Sequence, residues 1–388
     1  MRSVVNSSAA QSRYWKVEKL TGHLKKREPD FVIIFTTVTL LLVGLVMVFS
    51  ASAIIEGQRQ GDIYFQLRRQ AFWALFGLAG LLFFSWYDYW KLRRWTNLFL
   101  LANLLLLLAV FVPGLGFEAG GAQRWIRIGG LTMQPAELTK VAMVLFTAAY
   151  LSRKETRIQN FLKGVFPVLA VLSVFFLLIL RQPNLGTAIA IAGTTSIIVF
   201  VAGMPLQQLA VAVLAGVPLL GYLMISAPYR LQRILSFRDP WADPLGSGFQ
   251  IIQSFYALGS GGLFGTGLGR SRQKLFYIPE PQNDFIFAII GEELGFIGAS
   301  AVLFLFLLLL WRGLKVALQA RDVFGSLLAA GFISMIGLQT LVNVAVVTGS
   351  IPVTGTNLPL ISAGGSSLFV TMCSIGVVLN ISRYIKTD

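Results

Sequence analysis

QIIQSFYALGSGGLFGTGLGRSRQKLFYIPEPQNDFIFAIIGEELGFIG, residues 250–298, is the stretch on which the reading of the whole chain turns. It stands between long apolar segments, yet it holds six glycines before Arg270, a basic triplet, two prolines and four acids. Long ordered loops tend to carry function, and glycine lets a backbone approach a ligand closely. Arg270, Arg272 and Lys274 alternate with polar residues, and Asp284 stands where the next apolar run begins. The stretch reads as a cationic, flexible wall beside a carboxylate at a membrane surface, and hence as the reaction site.

Composition makes the surrounding chain a membrane protein. Of its 388 residues, 55% are hydrophobic and 13% charged, with a mean hydropathy of +0.72; soluble domains carry roughly 25% charged residues. Cys373 is the one cysteine and His23 the one histidine. That count excludes a disulfide framework and Cys- or His-rich metal clusters, and it argues against a Ser-His-Asp triad. The net charge of +15 is spread over many short loops rather than gathered on one soluble domain. A cytoplasmic positive bias explains it better than nucleic acid does. No cleavable signal peptide is expected, because the first long apolar run begins near Phe31, after a polar tail, and is long enough to span.

A spanning helix needs about 20 apolar residues. Ten segments qualify, at about 31–54, 71–87, 97–113, 135–152, 164–180, 185–203, 207–226, 285–311, 324–347 and 366–382. The expected fold is an all-α integral membrane protein of about ten transmembrane helices. Residues 1–30 form a basic cytoplasmic tail, and 31–388 form one polytopic domain with a large extracytoplasmic loop, 227–284, between helices 7 and 8. Leucine runs at 104–108 and 307–310 read as lipid-facing. With both termini inside, nineteen Lys and Arg fall on the cytoplasmic side and twelve outside, as the positive-inside rule favours. The twelve cluster, with Arg124 and Arg127 in one loop and six between Arg230 and Lys274 in another. Anionic head groups account for such a cluster, and so does a site for a phosphate-bearing ligand. Loop 348–365, rich in Gly, Pro, Ser and Thr, reads as irregular backbone that membrane depth tolerates only inside protein or along a wet cavity.

Ionisable residues at or inside spans are costly and are functional candidates by default. Glu137 and Lys140 follow Pro135, which is well placed to start a helix. Their i,i+3 spacing lets them neutralise each other, either as a self-contained pair or with Lys140 lining a cavity. Asp284 is either an N-cap or an exposed base. Glu292 and Glu293 lie about 12 Å deeper along the same helix, on faces that let at most one share its cavity. Glu280, between two prolines, reads as a solvated loop acid or a weaker site candidate. One carboxylate among many cations suits a particular chemistry. Hydrolysing a glycosidic bond wants two carboxyl groups, whereas a sugar diphosphate can expel its leaving group once cations stabilise it. One base to take a proton from an incoming hydroxyl then suffices.

The motifs GAQRWIRIGGLTMQPAELTK (121–140), QPNLGTA (182–188), the stretch 249–298 and NVAVVTGSIPVTGTNLPLISAGGSSL (343–368) closely resemble the SEDS family of bacterial cell-wall polymerases. FRDPWADPLGSGFQ and GRSRQKLFYIPEPQNDF look like its FtsW/SpoVE branch rather than the RodA branch. The resemblance implies a peptidoglycan glycosyltransferase that extends glycan strands from lipid II at the outer face of the bacterial cell membrane, in division or sporulation. It places the family's essential aspartate on Asp284 and its glutamate and lysine on Glu137 and Lys140. It also implies a class B penicillin-binding protein as transpeptidase partner, with other divisome membrane proteins nearby and no nucleic acid. On this reading Asp284 activates the acceptor hydroxyl, Arg270, Arg272, Lys274 and Arg124 hold the donor diphosphate, and Trp125 stacks on a sugar or serves as an interfacial aromatic.

Two departures stand out. Asn184 replaces the family's usual aspartate, so that position supplies no base, and Ala363 replaces a tyrosine. No organic cofactor is called for, and a divalent cation, Mg or Mn, beside the diphosphate is left open. Two rival readings are a lipid II flippase and a non-catalytic scaffold. A transporter should show paired broken helices from an inverted repeat, and none is visible in the sequence. The tail 1–30 reads as a juxtamembrane basic segment that adsorbs to anionic lipid.

Overall fold

The computed structural model describes residues 27–119, 122–128, 131–153, 160–275 and 277–385. The basic tail, His23 included, lies outside the described residues except for its last four positions. Lys154, Arg157 and Lys386, which enter the orientation count, lie outside them too.

Helices cover all ten apolar segments. They are α1 (Phe31–Gln60), α2 (Phe65–Trp86), α3 (Tyr89–Ala109), α4 (Pro135–Ser152), then a short α5 (Phe161–Gly164) leading into α6 (Phe166–Arg181). After these come α7 (Leu185–Val201), α8 (Leu206–Ile225), α11 (Ile286–Gln319), α12 (Val323–Val347) and α13 (Gly365–Ser382). Five of them, α1, α3, α11, α12 and α13, are long and apolar enough to cross a membrane, and α6 and α7 are shorter apolar helices. Local chemistry sets the boundaries. Asp30 caps α1 by accepting from the N–H groups of Val32 and Ile33. Pro135 opens α4 where its missing N–H costs nothing. Asp322 caps α12 through the N–H of Gly325.

Two parts depart from the expected plan of ten helices joined by loops. The first outer loop folds into a small antiparallel sheet of β1 (Gly116–Ala119), β2 (Ala122–Ile128) and β3 (Leu131–Met133), in the order β1-β2-β3. Alternating residues such as Ala122 and Ile126, both buried, give β2 its inward face. The stretch 227–284 holds two further helices, α9 (Pro228–Arg238) and α10 (Phe249–Gly261), separated by a 3₁₀ turn at Pro240–Ala242.

The core runs along α1, α11, α12 and α13, where Leu40, Val48, Ile289, Leu328, Ile336 and Val378 are fully buried. Large apolar side chains also cover the outside, among them Leu42, Leu75, Leu307 and Leu318. So wide an exposed apolar surface suits a lipid environment. The leucine runs are not wholly lipid-facing: Leu107 and Leu309 are completely buried while Leu105, Leu108 and Leu307 are exposed. A helix turns each third or fourth residue back to its neighbours, so a homogeneous run cannot face one way.

The end of the bundle away from Asp284 is fastened by polar contacts. Asp322 accepts from Tyr89 Oη (2.8 Å) and Trp90 Nε1 (3.2 Å). Asn380 joins Tyr89 N to the Ser85 carbonyl, and Arg312 Nε reaches Asp30 at 3.0 Å.

Candidate active site

Asp284 sits one residue before Phe285, which precedes the first turn of α11; that helix start has no side-chain cap. The carboxylate is therefore not spent on capping, and among the described residues it forms no ion pair. Its main chain is fixed instead. Asn343, a fully buried amide in the apolar α12, donates through Nδ2 to both the Asp284 carbonyl (2.7 Å) and the Thr356 carbonyl (2.8 Å).

The irregular segment 351–364 packs against Gln282, Asn283 and Asp284, just before α11. Ser362 Oγ donates to the Asn283 carbonyl at 2.6 Å and accepts from the N–H of Leu358 at 2.8 Å. Ala363 N donates to the Gln282 carbonyl, and Gln70 Nε2 to the Ser362 carbonyl. Leu358, Leu360, Ile361 and Ala363 are buried, so this irregular backbone lies inside protein. Gly355, at φ +69°, passes so close to Asp284 that a Cβ built there would stand 3.9 Å from Oδ2. Gly186 touches the same segment at Thr354 and Thr356, which brings the QPNLGTA motif to the site. Asn184 caps α7 through Thr187 N, and that is a duty an aspartate would perform equally. Ala363 fills a buried position.

Burial pushes the Asp284 carboxyl up to about 6; its own backbone N–H and the Arg233 guanidinium pull it down in part, and Glu280 pushes it further up. Arg233 comes from the amphipathic α9, and its Nη1 donates to the Val353 carbonyl at 3.2 Å. Arg124, on β2, lies within electrostatic reach of Arg233. Burial and that second guanidinium hold its pKa down, and Tyr229 partly offsets them. Among the described residues the buried Nε of Arg124 has no hydrogen-bond partner. Two neighbouring guanidinium groups, one of them beside the acid and the other with a donor left without a partner among the described residues, make a place for an anion with several oxygens.

The other expected site residues fall into two groups. Trp125 stands on β2 opposite Phe117, next to Arg124. Arg270, Arg272 and Glu280 are exposed, and Glu280 accepts from Asn283 Nδ2 at 2.6 Å. Glu137 and Lys140 are buried and pair with each other at 2.7 Å, one turn inside α4. Lys274 is also enclosed, 2% exposed, with its ammonium 2.8 Å from Glu293 and 3.1 Å from Ser50 Oγ. Neither lysine presents an open charge to a ligand. Two of the glycines of 259–269, Gly261 and Gly265, lie against the backbone of α11, while Gly259, Gly262 and Gly269 have nothing within 4 Å of a built Cβ among the described residues; Thr266 N and Gly267 N donate to the carbonyls of Glu292 and Glu293, where α11 breaks at Gly295.

Arg233, Asn343, Gly355 and Ser362 were not singled out from the sequence. Asn343 carried a usable signal, a lone amide in an apolar span; Arg233 carried only the helical spacing of YRLQRI. Among the described residues no three His, Cys, Asp or Glu side chains gather where they could hold a metal ion.

A helical membrane protein with a raised-pKa acid at one mouth of its bundle, and the Arg233 guanidinium acting on that acid, is equipped to act on an anionic substrate held at the membrane. The chain belongs to the FtsW/RodA/SpoVE family, described as cell cycle proteins, whose profile matches residues 31–387. It is 48% identical to stage V sporulation protein E of Bacillus subtilis (strain 168), over 93% of this chain and 98% of the relative. It is 43% identical to a probable peptidoglycan glycosyltransferase FtsW of Geobacter sp. (strain M18), over 92% and 97%. Among solved structures it resembles a chain of a peptidoglycan synthase complex that coordinates polymerization and crosslinking, with TM-score 0.77, 32% identity, and coverage of 93% and 99%. It also resembles the rod shape determining protein RodA of Thermus thermophilus, with TM-score 0.68, 30% identity, and coverage of 93% and 98%.

Proposed function

We propose that this chain is a peptidoglycan glycosyltransferase that polymerises lipid II, with Asp284 as its general base. The observation that carries the assignment is an acid at a helix start that neither caps nor pairs, with Arg233 acting on it and Gly355 leaving space beside it. The acceptor sugar's hydroxyl gives its proton to Asp284 as its oxygen attacks the donor's anomeric carbon. The bond from that carbon to the diphosphate breaks, and the lipid diphosphate leaves with the electron pair. Arg124 and Arg233, with Arg270 and Arg272, stabilise the charge that develops on the leaving oxygens. A general base near its operating pH contributes typically 10²–10⁴-fold.

The reading includes ten membrane spans with both termini cytoplasmic, so that the Asp284 end faces outward, as the basic loops favour. The septum is then its place of work, and a class B penicillin-binding protein its transpeptidase partner. That partner accords with the likeness to a synthase complex chain. A divalent cation, Mg or Mn, would be held mainly by diphosphate oxygens with one protein carboxylate, a common arrangement for Mg²⁺ at phosphates; Glu280 is the open acid nearest in sequence to the base.

Reconstituted vesicles test the function. Glycan polymer formed from lipid II by wild type and lost with Asp284→Ala supports it. Lipid translocation without polymer would replace it by the flippase reading.

A further inference from the structure

Glu292 and Glu293 take no part in the chemistry above, yet they are 1% and 0% exposed. Neither is idle. Glu292 accepts from Ser271 Oγ (2.5 Å), Arg272 N (2.8 Å) and Gln273 N (3.4 Å). Glu293 accepts from Lys274 Nζ (2.8 Å), Ser50 Oγ (2.7 Å) and Ser271 N (3.4 Å). Six donors thus converge on two adjacent carboxylates, and five of them come from residues 271–274. The same loop is sewn to α11 by its backbone, with Phe296 N donating to the Gly262 carbonyl at 2.8 Å and Ile297 N to the Leu263 carbonyl at 3.2 Å.

The height of this knot follows from the helices. At the far end of the bundle Asp30, which caps α1 at Phe31, pairs with Arg312 of α11. At the near end Ser50 of α1 bonds Glu293 of α11. Phe31 to Ser50 is nineteen steps along the unbroken helix α1, about 28 Å at 1.5 Å per residue. The hydrocarbon core of a bilayer is about 30 Å thick. The two polar ties therefore mark its two faces, and the Glu292–Glu293 knot lies at the face below Asp284. Exposed Leu263, Phe264 and Leu268 continue there into exposed Phe296 and Ile297, while Arg270 and Arg272 leave the loop into the open.

We propose that Glu292 and Glu293 are positioning residues. They set the 262–274 loop in the break of α11, so that Arg270 and Arg272 meet a lipid-borne diphosphate at head-group height. Lys274 is the internal counter-ion of this knot rather than a ligand. The proposal rests on the reading of Arg270 and Arg272 as diphosphate-binding cations. Both oxygens of Glu292 act as acceptors for the three donors; a glutamine turns an N–H₂ group toward N–H groups.

The test uses the full chain with its penicillin-binding partner in lipid nanodiscs. Initial polymerisation rates are measured against lipid II concentration, together with amide hydrogen exchange at residues 271–273. Glu292→Gln should raise KM about tenfold, the scale of one hydrogen bond to a charged group. It should leave kcat within about twofold and speed exchange at Arg272 and Gln273. Ser271→Ala, which removes one of the three donors, should shift KM the same way by less, and it decides the matter if Glu292→Gln does not fold. A wild-type KM in a variant with exposed amides overturns the proposal, as does a fall in kcat at unchanged KM, or unchanged exchange. Asp284→Asn run in parallel reports separately on the base: if that variant polymerises normally, the base assignment fails whatever the loop variants do.

Discussion

Replacing Asp284 with Asn keeps the size of the side chain and its place beside Gly355 while removing the proton acceptor. Loss of a positioned base costs on the order of 10²–10⁴ in rate, so kcat/KM for lipid II should fall within that range. The wild-type rate should show a limb with its midpoint near pH 6, because burial raises the carboxyl to about 6. Activity falls about tenfold per pH unit below that midpoint and is flat above it.

Stability should move the other way. The folded state raises this carboxyl from 3.8 to about 6, so protonation favours folding. That contribution is complete below pH 3.8 and is lost as pH rises through about 6. The ceiling is about 3 kcal/mol at 1.36 kcal/mol per pH unit, and solvent on the exposed side of the half-buried carboxylate reduces it to about 1 kcal/mol. Asn never ionises, so the variant should unfold at least as high as wild type at pH 7.5 and lose that advantage at pH 4. Gel-resolved polymer from lipid II between pH 5 and 8, and thermal unfolding at the two pH values, check both halves. A variant that retains more than a tenth of wild-type kcat/KM, or a flat wild-type profile from pH 5 to 7, refutes the assignment.

Arg233→Gln takes away a charge that lowers the Asp284 pKa, so the acidic limb of the pH–rate profile should move to higher pH; an unmoved midpoint would detach Arg233 from the base. Lys140→Met strands the buried Glu137 carboxylate and should destabilise by about 3–5 kcal/mol, while adding Glu137→Gln should recover most of it in thermal unfolding. Asn184→Asp keeps the α7 cap, so unfolding should shift by less than about 0.5 kcal/mol. Polymerisation in that variant should persist, since the base lies elsewhere.

The helices were legible because apolar runs about twenty residues long have few alternatives in a chain this poor in charge. Asp284 was legible as well, as an acid at the edge of an apolar run. Less legible was where the cations point. Arg270, Lys274 and Arg124 look alike in sequence, yet one is exposed, one is locked to Glu293 and one lies half-buried on a β-strand. That difference is made by residues far along the chain, Ser50 and Glu293 for Lys274, and Arg233 for Arg124. Periodicity reports the face of a helix but not the partner it meets. The sheet at 116–133 was hidden for a related reason: Gly-rich polar sequence reads as loop until Phe117 and Trp125 are seen to stand opposite each other.

The glycines of 259–269 offer the sharpest separation between the two readings of that stretch. If they kept space for a ligand, enlarging any of them would damage substrate binding alone. In the structure the tight contacts are internal. A Cβ on Gly265 (φ +82°) would stand 2.2 Å from the Glu293 carbonyl, and one on Gly295 (φ +69°) 2.3 Å from Gly265 N. Backbone cannot retreat as a flexible side chain can, so Gly265→Ala and Gly295→Ala should each destabilise the docked loop by about 2–4 kcal/mol. Gly259→Ala, in α10 with nothing within 4 Å of its Cβ, should be neutral or gain up to about 1 kcal/mol. Hydrogen exchange across 262–274 reads the difference without any substrate. Equal exchange in Gly265→Ala and Gly259→Ala would mean the loop is not held by that contact, and its glycines would return to being explained by what binds them.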